Sequence, residues 1–174
     1  GLDARPWLLS AGQLVPNKGH DAVLRALPSL AGWGLIIAGE GPEEPELRRL
    51  AKGTGVVERV RFAGRVAPER MPAHYRAADC LVLASSREGM PNVLLESLAC
   101  GTPVVATRVG GCAEIVSEPV AGRLIGACAR RHRAGVHLLC ATLTACRRRG
   151  CGRRRGLREC AAGQLHRGPS ACEI

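Results

Sequence analysis

The sequence predicts an α/β fold built on a doubly wound parallel sheet, and three observations predict it. Short apolar runs alternate with stretches of helical periodicity from residue 7 to residue 126. The runs lack the apolar-polar alternation of a half-solvated strand, so both of their faces are expected to be covered. Glycine-rich turns at Gly12, Gly39 and Gly41, Gly64, Gly89 and Gly110-Gly111 fall where the runs end. That is the edge at which open parallel sheets bind ligands.

The elements follow in order. Residues 7–14 read as a first buried strand, and Gly19 to Leu30 as a helix carrying Ala22, Val23, Ala26 and Leu27 at helical spacing. Gly34 to Glu40 is a second strand. The charged helix after it, Pro42 to Lys52, turns Leu47, Leu50 and Ala51 toward a sheet. Val60 to Val66 is a third strand, with a short helix over Pro68 to Ala77. Cys80 to Ala84 is a fourth strand and Pro103 to Thr107 a fifth, and the pattern stops after Arg123-Leu124-Ile125-Gly126.

The helix between the fourth and fifth strands is bounded by Pro91, expected at its first position where a missing N–H costs nothing, and by Gly101 as its stop. Its N-terminus offers free N–H groups and the positive end of the helix dipole, which suit a phosphate. Glu88 lies in the preceding loop and Glu96 on the helix, about 8 Å along the axis from Pro91 at roughly 1.5 Å per residue. That length spans a diphosphate, with one carboxylate near each end.

Composition divides the chain in two. The 174 residues carry a formal charge of +10. Residues 1–126 hold 14 Lys and Arg against 13 Asp and Glu, whereas residues 127–174 hold 11 Arg against 2 Glu, so the basicity belongs to the tail. Six of the nine cysteines lie there too. Their spacings lack a paired C-x2-C knuckle, so no metal site is expected. The tail has neither aromatic residues nor lysine, so specific nucleic-acid binding is not expected either. Residues 134–146 offer one helical stretch, but the Arg/Cys/Gly-rich sequence as a whole has no apolar period. We read residues 127–174 as irregular, without a second core, and as an out-of-frame translation of a GC-rich gene. Translating the coding DNA in the other two frames tests this. No run of 18 apolar residues and no signal-peptide pattern occurs, so a cytoplasmic setting is expected. His20 and His74 read as capping or surface residues. Gly39-Glu40-Gly41 is too short for a dinucleotide fingerprint, and no P-loop is present.

Several motifs together resemble the retaining GT-B glycosyltransferases of family 4, the glycosyl transferases group 1. They are Val15-Pro16-Asn17-Lys18-Gly19, Ile37-Ala38-Gly39-Glu40-Gly41-Pro42, Glu88-Gly89-Met90-Pro91-Asn92 leading to Glu96, Cys100-Gly101-Thr102-Pro103-Val104-Val105-Ala106, and Gly110-Gly111 before Ala113-Glu114-Ile115. The resemblance implies that residues 1–126 are a Rossmann-like, nucleotide-sugar-binding domain, one half of a GT-B fold. It implies that Glu88 binds hydroxyls of the transferred sugar beside the reacting centre and that Glu96 binds the ribose. The amides of Met90, Asn92 and Val93 would cradle phosphate, and Lys18 would neutralise the diphosphate as it leaves. Glu88 and Lys18 are thus the expected catalytic residues. Gly12, Gln13 and Gly89 belong to the expected donor-binding loops, and Arg65 and Val66 match the region that contacts the base. Many relatives have Arg where Gln13 stands, and Gln13 carries no charge for the diphosphate.

What the resemblance implies is transfer of a sugar from a UDP- or GDP-sugar with retention, in polysaccharide or glycoconjugate biosynthesis, without cofactor or metal. The expected partner is an acceptor-binding N-terminal domain, which the resemblance places outside these 174 residues. Peripheral membrane association would run through that missing domain, and the isolated chain is expected to bind donor with little or no turnover. Two alternatives stand beside it: a GT-B sugar-nucleotide epimerase, and a non-catalytic nucleic-acid binder acting through the tail.

Overall fold

The computed structural model describes residues 2–118 and 121–126. The readings placed on residues 127–174, the helix over 134–146 included, lie outside the described residues. The elements are β1 (Trp7–Ala11), α1 (His20–Ala26), β2 (Gly34–Ala38), α2 (Glu44–Gly53), β3 (Val60–Gly64), α3 (Met71–Ala77), β4 (Cys80–Leu83), α4 (Asn92–Ala99), β5 (Val104–Thr107), α5 (Cys112–Ile115) and β6 (Gly122–Ile125). The strands form one sheet in the order β3-β2-β1-β4-β5-β6, and the described pairings are parallel. The chain winds outward from β1 to β3, crosses back through α3 to β4 beside β1, and winds outward again. The topological switch point lies between β1 and β4, and it is there that such sheets open a crevice.

Period-two alternation divides the strand side chains between two buried layers. Leu8, Leu35, Ile37 and Val82 face α1 and α2, where Val23, Leu24, Leu27 and Leu47 cover them. Leu9, Ile36, Leu81 and Leu83 face the opposite layer, under Tyr75 of α3 and Leu94 of α4. Burying each of these large side chains stabilises the fold by about 1.5–3 kcal/mol. The edge strand β3 departs from the expectation of two covered faces, since Val60 is buried whereas Arg61 and Ala63 are exposed. A charged residue on an edge strand also discourages pairing with another chain.

Element ends are tighter than the sequence pattern suggests. β1 stops at Ala11 rather than at Leu14 because Gly12, with φ 141°, turns the chain away. Its N–H still donates to the Ala38 carbonyl at 2.9 Å. Gly39 then passes so close that an added Cβ would lie 1.8 Å from the Gly12 carbonyl oxygen. The first helix likewise ends at Ala26, and Leu27 to Ser29 follow as a 3-10 turn containing Pro28. Pro91 caps α4 from outside with extended backbone (φ −79°, ψ 94°), and Asn92 is the first helical residue.

Gly39→Ala is expected to lower stability by at least about 2 kcal/mol, because both the positive φ and the Gly12 carbonyl oppose a side chain. Gly53→Ala, in open space at the end of α2, should stay within about 1 kcal/mol of the parent. Urea midpoints of the two variants check the contrast.

Candidate functional site

Three loops meet at the carboxyl edge of β1, β4 and β5. The first, after β1, makes a 3-10 turn over Pro16–Lys18 that ends at Gly19 in the left-handed region, φ 68°. A Cβ at Gly19 would sit 2.1 Å from the Ala84 carbonyl oxygen. Only glycine lets this loop press against the end of β4. The Ser86 N–H donates to the Asn17 carbonyl at 2.8 Å and stitches the two loops together. From the far side, the β5–α5 loop packs on the same segment. Gly110, φ 49°, brings its Cα to where a Cβ would meet the Glu88 carbonyl oxygen at 1.9 Å, and the Gly111 N–H donates to the Gly89 carbonyl at 2.8 Å.

This packing sets Lys18 against Glu88. The Lys18 Nζ donates to both carboxylate oxygens, at 2.9 Å each, and the Glu88 side chain is only 8 % exposed against 26 % for Lys18. A bidentate, charge-assisted contact in such a setting is well defined in space. Lysine carries three donors, so one remains for another anion after the carboxylate is satisfied.

α4 begins just beyond this pair. As in any α-helix, the first N–H groups lack intrahelical partners, here those of Asn92 and Val93. The turn closes only when the Leu94 N–H reaches the Pro91 carbonyl at 3.0 Å. Gly89, Met90 and Asn92 are exposed and Val93 is half-buried, so the segment faces open solvent at the helix N-terminus. One turn further along, Glu96 accepts a hydrogen bond from the Tyr75 hydroxyl at 2.7 Å.

The remaining expected site residues lie on the same edge at different distances from the centre. Gly12 is locked to β2, as above, and Gln13 turns its side chain to solvent. Arg65 and Val66 follow β3 at the sheet margin. Val66 packs on the α3–α4 layer, and the exposed Arg65 guanidinium stands 3.5 Å from a Glu40 carboxylate oxygen. Lys18 and Glu88 are thus brought into contact, whereas Glu96 and Arg65 have other partners.

Two polar residues that sequence reasoning missed support the loops. His20 is no surface or capping residue: it is 1 % exposed beneath the β1–α1 loop. Its Nε2 lies 3.2 Å from the Gln13 carbonyl and its Nδ1 2.8 Å from Ser10 Oγ. A carbonyl only accepts, so Nε2 carries the proton and Nδ1 accepts from the serine hydroxyl. Ser10 was the available signal, since a serine inside the buried run Trp7-Leu8-Leu9-Ser10-Ala11 requires a partner. Tyr75, the other missed residue, is the only tyrosine in the sequence and is fully buried. His74 matches its surface reading, half-exposed on α3 with Nδ1 3.2 Å from the Arg70 carbonyl.

Burial holds the His20 pKa below its ordinary 6.5, outweighing the Gln13 hydrogen bond and the Asp21 charge, which raise it. The unfolded chain therefore takes up a proton below pH 6.5 that the native chain refuses. The stability His20 contributes is complete above pH 6.5 and is lost as pH falls through its lowered native value. Glu43 acts in the opposite sense: burial, then Asp21 and Glu46, raise its carboxyl pKa, so it favours the native state as pH falls. Comparison with His20→Gln cancels that contribution. In urea unfolding, the stability advantage of the parent over His20→Gln should shrink from pH 7.5 to pH 5.5. A constant advantage would exclude a buried neutral imidazole.

Comparison with known proteins gives this chain relatives in sequence and in fold. Residues 5–142 match the family model described as glycosyl transferases group 1, which runs on past Gly126. The chain is 38 % identical over 136 residues to a GDP-mannose-dependent alpha-(1-6)-phosphatidylinositol monomannoside mannosyltransferase of Mycolicibacterium smegmatis, with 72 % of this chain and 36 % of that protein covered. To a D-inositol 3-phosphate glycosyltransferase of Catenulispora acidiphila it is 40 % identical over 131 residues, covering 68 % of this chain and 31 % of the relative. The chain thus spans about a third of the length of these curated relatives. In fold it resembles Anabaena HepE in complex with UDP-glucose, with TM-score 0.75, 24 % identity, and coverage of 92 % of this chain and 44 % of that one. It also resembles the C-terminal domain of a glycosyl transferase group 1 family protein from Francisella tularensis, with TM-score 0.69, 21 % identity, and coverage of 92 % and 86 %.

Proposed function

Since the chain belongs to the glycosyl transferases group 1 family, we propose that its described residues form the donor-binding half of a GT-B glycosyltransferase and hold a nucleoside-diphosphate sugar at the β1/β4 switch point. The observation that carries this reading is the Lys18–Glu88 pair, held between glycine-tight loops at the edge where doubly wound sheets bind ligands. A cation alone suits many anions. A cation sharing its charge with a nearly buried carboxylate, next to a helix N-terminus, suits a ligand with phosphate and hydroxyls side by side.

Lys18 and the N–H groups of Met90, Asn92 and Val93 take the diphosphate, and Glu88 takes hydroxyls of the sugar. The arrangement answers an electrostatic problem. A carboxylate and a diphosphate about 6 Å apart repel by roughly 3 kcal/mol at an effective dielectric near 20. Lys18, in contact with one and within reach of the other, offsets that repulsion. As the sugar–phosphate bond breaks, charge grows on the leaving diphosphate, and the same lysine and amides stabilise it more strongly than in the ground state. Glu88 then orients a sugar that is becoming electron-poor. Glu96 holds the ribose, Gly12, Gln13 and Gly89 line the donor loops, and Arg65 and Val66 border the base. The reading calls on no metal or organic cofactor.

The whole protein, on this proposal, transfers a hexose with retention as a family 4 enzyme, from a UDP- or GDP-sugar, in a cleft closed by an acceptor-binding domain. The names of its relatives point to GDP-mannose and its fold neighbours to UDP-glucose, so both donors belong in the test. A cytoplasmic setting belongs to the same proposal, and no described helix is long and apolar enough to cross a membrane.

Isothermal titration of the 174-residue chain with GDP, UDP, GDP-mannose and UDP-glucose tests the site. Lys18→Ala should weaken every ligand that binds by about 10- to 100-fold, the scale of a lost charge-assisted contact. Glu88→Gln should weaken the sugar nucleotides while leaving the bare diphosphates bound at least as tightly as in the parent, because it frees Lys18 and removes the carboxylate's repulsion. Absence of binding to all four, or a Lys18→Ala variant that binds as the parent does, would overturn the reading.

A further inference from the structure

Tyr75 lies in α3, on the face turned to the sheet, with its ring fully buried among Leu9, Leu81, Leu94 and their neighbours. A phenol hydroxyl in such a place needs a partner. Its partner is not in the core: the hydroxyl reaches across to α4 and donates to Glu96 Oε2 at 2.7 Å, and Glu96 is itself an exposed residue of that helix. Main-chain ties hold the other end of the residue. Thr102 Oγ1 donates to the Tyr75 carbonyl at 2.7 Å, the Thr102 N–H donates to the Ser97 carbonyl at 2.9 Å, and Ser97 Oγ donates to the Thr102 carbonyl at 3.0 Å. Tyr75 is therefore fastened at its backbone to the turn that ends α4 and at its hydroxyl to the side chain of Glu96.

A glutamate on an exposed helix face ordinarily samples several rotamers, and fixing one of them on binding costs affinity. Here one oxygen is already tethered to a rigid, buried donor. We propose that Tyr75 is a positioning residue that preorganises Glu96 for a vicinal diol, so that the site distinguishes a ribonucleoside diphosphate from its deoxy counterpart. The inference rests on the reading that Glu96 holds the ribose. With Oε2 engaged by the tyrosine, Oε1 and the second lone pair of Oε2 remain as acceptors, and two adjacent hydroxyl donors match them. Burial, then Glu96, push the Tyr75 pKa upward, so the phenol stays protonated and remains the donor. A neutral donor fixes the carboxylate and leaves its charge to strengthen the bonds from the diol.

The test is titration of the full chain with GDP and 2′-deoxy-GDP, and with UDP and 2′-deoxy-UDP, read as the ribo-to-deoxy affinity ratio. The parent should prefer the ribo form by about 10-fold or more, and Glu96→Gln should bring the ratio close to one. Tyr75→Phe, which removes a single oxygen and keeps the ring, should lower the ratio about 5-fold by weakening the ribo form alone. In the Glu96→Gln background it should change the ratio no further. Glu96→Asp keeps the charge but draws the carboxylate away from Tyr75. It should reproduce the Tyr75→Phe loss, and it carries the test if that variant does not fold. A ratio unchanged in Tyr75→Phe or Glu96→Asp while it collapses in Glu96→Gln overturns the positioning role and leaves Glu96 at the ribose. Equal weakening of ribo and deoxy forms in Tyr75→Phe means a structural effect only and overturns it too. A parent-like ratio in Glu96→Gln removes Glu96 from the ribose, and the positioning role falls with it.

Discussion

At Gly19 the first carbon of a side chain would lie 2.1 Å from the Ala84 carbonyl oxygen, and at Gly110 it would lie 1.9 Å from that of Glu88. The loops after β1, β4 and β5 therefore meet backbone to backbone, with no layer of side chains between them. That approach shortens the path from Lys18 to Glu88 to one hydrogen bond. It also leaves Glu88 little room to swing, since its own carbonyl and that of Gly89 are walled in by Gly110 and Gly111. Larger residues at these two glycines would separate the loops, and the pair could not form whatever its charges. The sheet supplies the frame for the same approach: β1 and β4 are neighbours only because the chain crosses back through α3 after β3.

The ion pair itself adds little to stability. Removing a lysine and a glutamate from water offsets most of their attraction, and an apolar pair of similar volume would hold two loops together as well. Its geometry is nevertheless sharply defined, with both carboxylate oxygens engaged at 2.9 Å. Polar residues also form the support beneath it. His20 bridges Ser10 in β1 and the Gln13 carbonyl in the loop, so the floor of the β1–α1 loop is fastened to the strand it leaves. An arrangement in which charges are positioned at some cost and then left partly open to solvent makes chemical sense at a site that receives a ligand.

The architecture was legible in the sequence because parallel strands covered on both faces must be apolar throughout, and runs such as Leu35-Ile36-Ile37-Ala38 and Cys80-Leu81-Val82-Leu83 have few other uses. Their ends were less legible. Leu14 is buried and apolar, yet it lies past the strand, because its N–H pairs with the Glu40 carbonyl in a loop; hydrophobicity reports burial and not ladder pairing. Pro91 suits either a first helical position or a cap, and the extended backbone that precedes α4 decides for the cap. In the site, Lys18, Glu88 and Glu96 stood out by motif, and the contact between the first two follows from loop lengths that a sequence does not display. The partners of His20 and Tyr75 were hidden for a different reason. Each joins residues on different elements, Ser10 with His20 and Tyr75 with Glu96, and periodicity carries no information about which polar groups meet across a fold.

The two glutamates, alike in sequence, are held by different chemistry, and the difference bears on what each can do. Glu88 is bound by a cation, which cancels much of its charge before any ligand arrives. Glu96 is bound by a neutral hydroxyl, which orients it without cancelling anything. If the site holds a diphosphate as proposed, the first arrangement is the workable one beside it, since an unneutralised carboxylate there would repel the ligand. Farther along α4 the constraint relaxes, and a carboxylate that keeps its charge makes the stronger acceptor for sugar hydroxyls. On the same proposal, exchanging the two partners would defeat both ends: a lysine at Glu96 would weaken a grip on a diol, and a tyrosine at Glu88 would leave two anions facing each other. On the donor-binding proposal, the order of holding groups along the edge, cation first and neutral donor second, matches the order of charge along a nucleoside diphosphate, from phosphate to ribose.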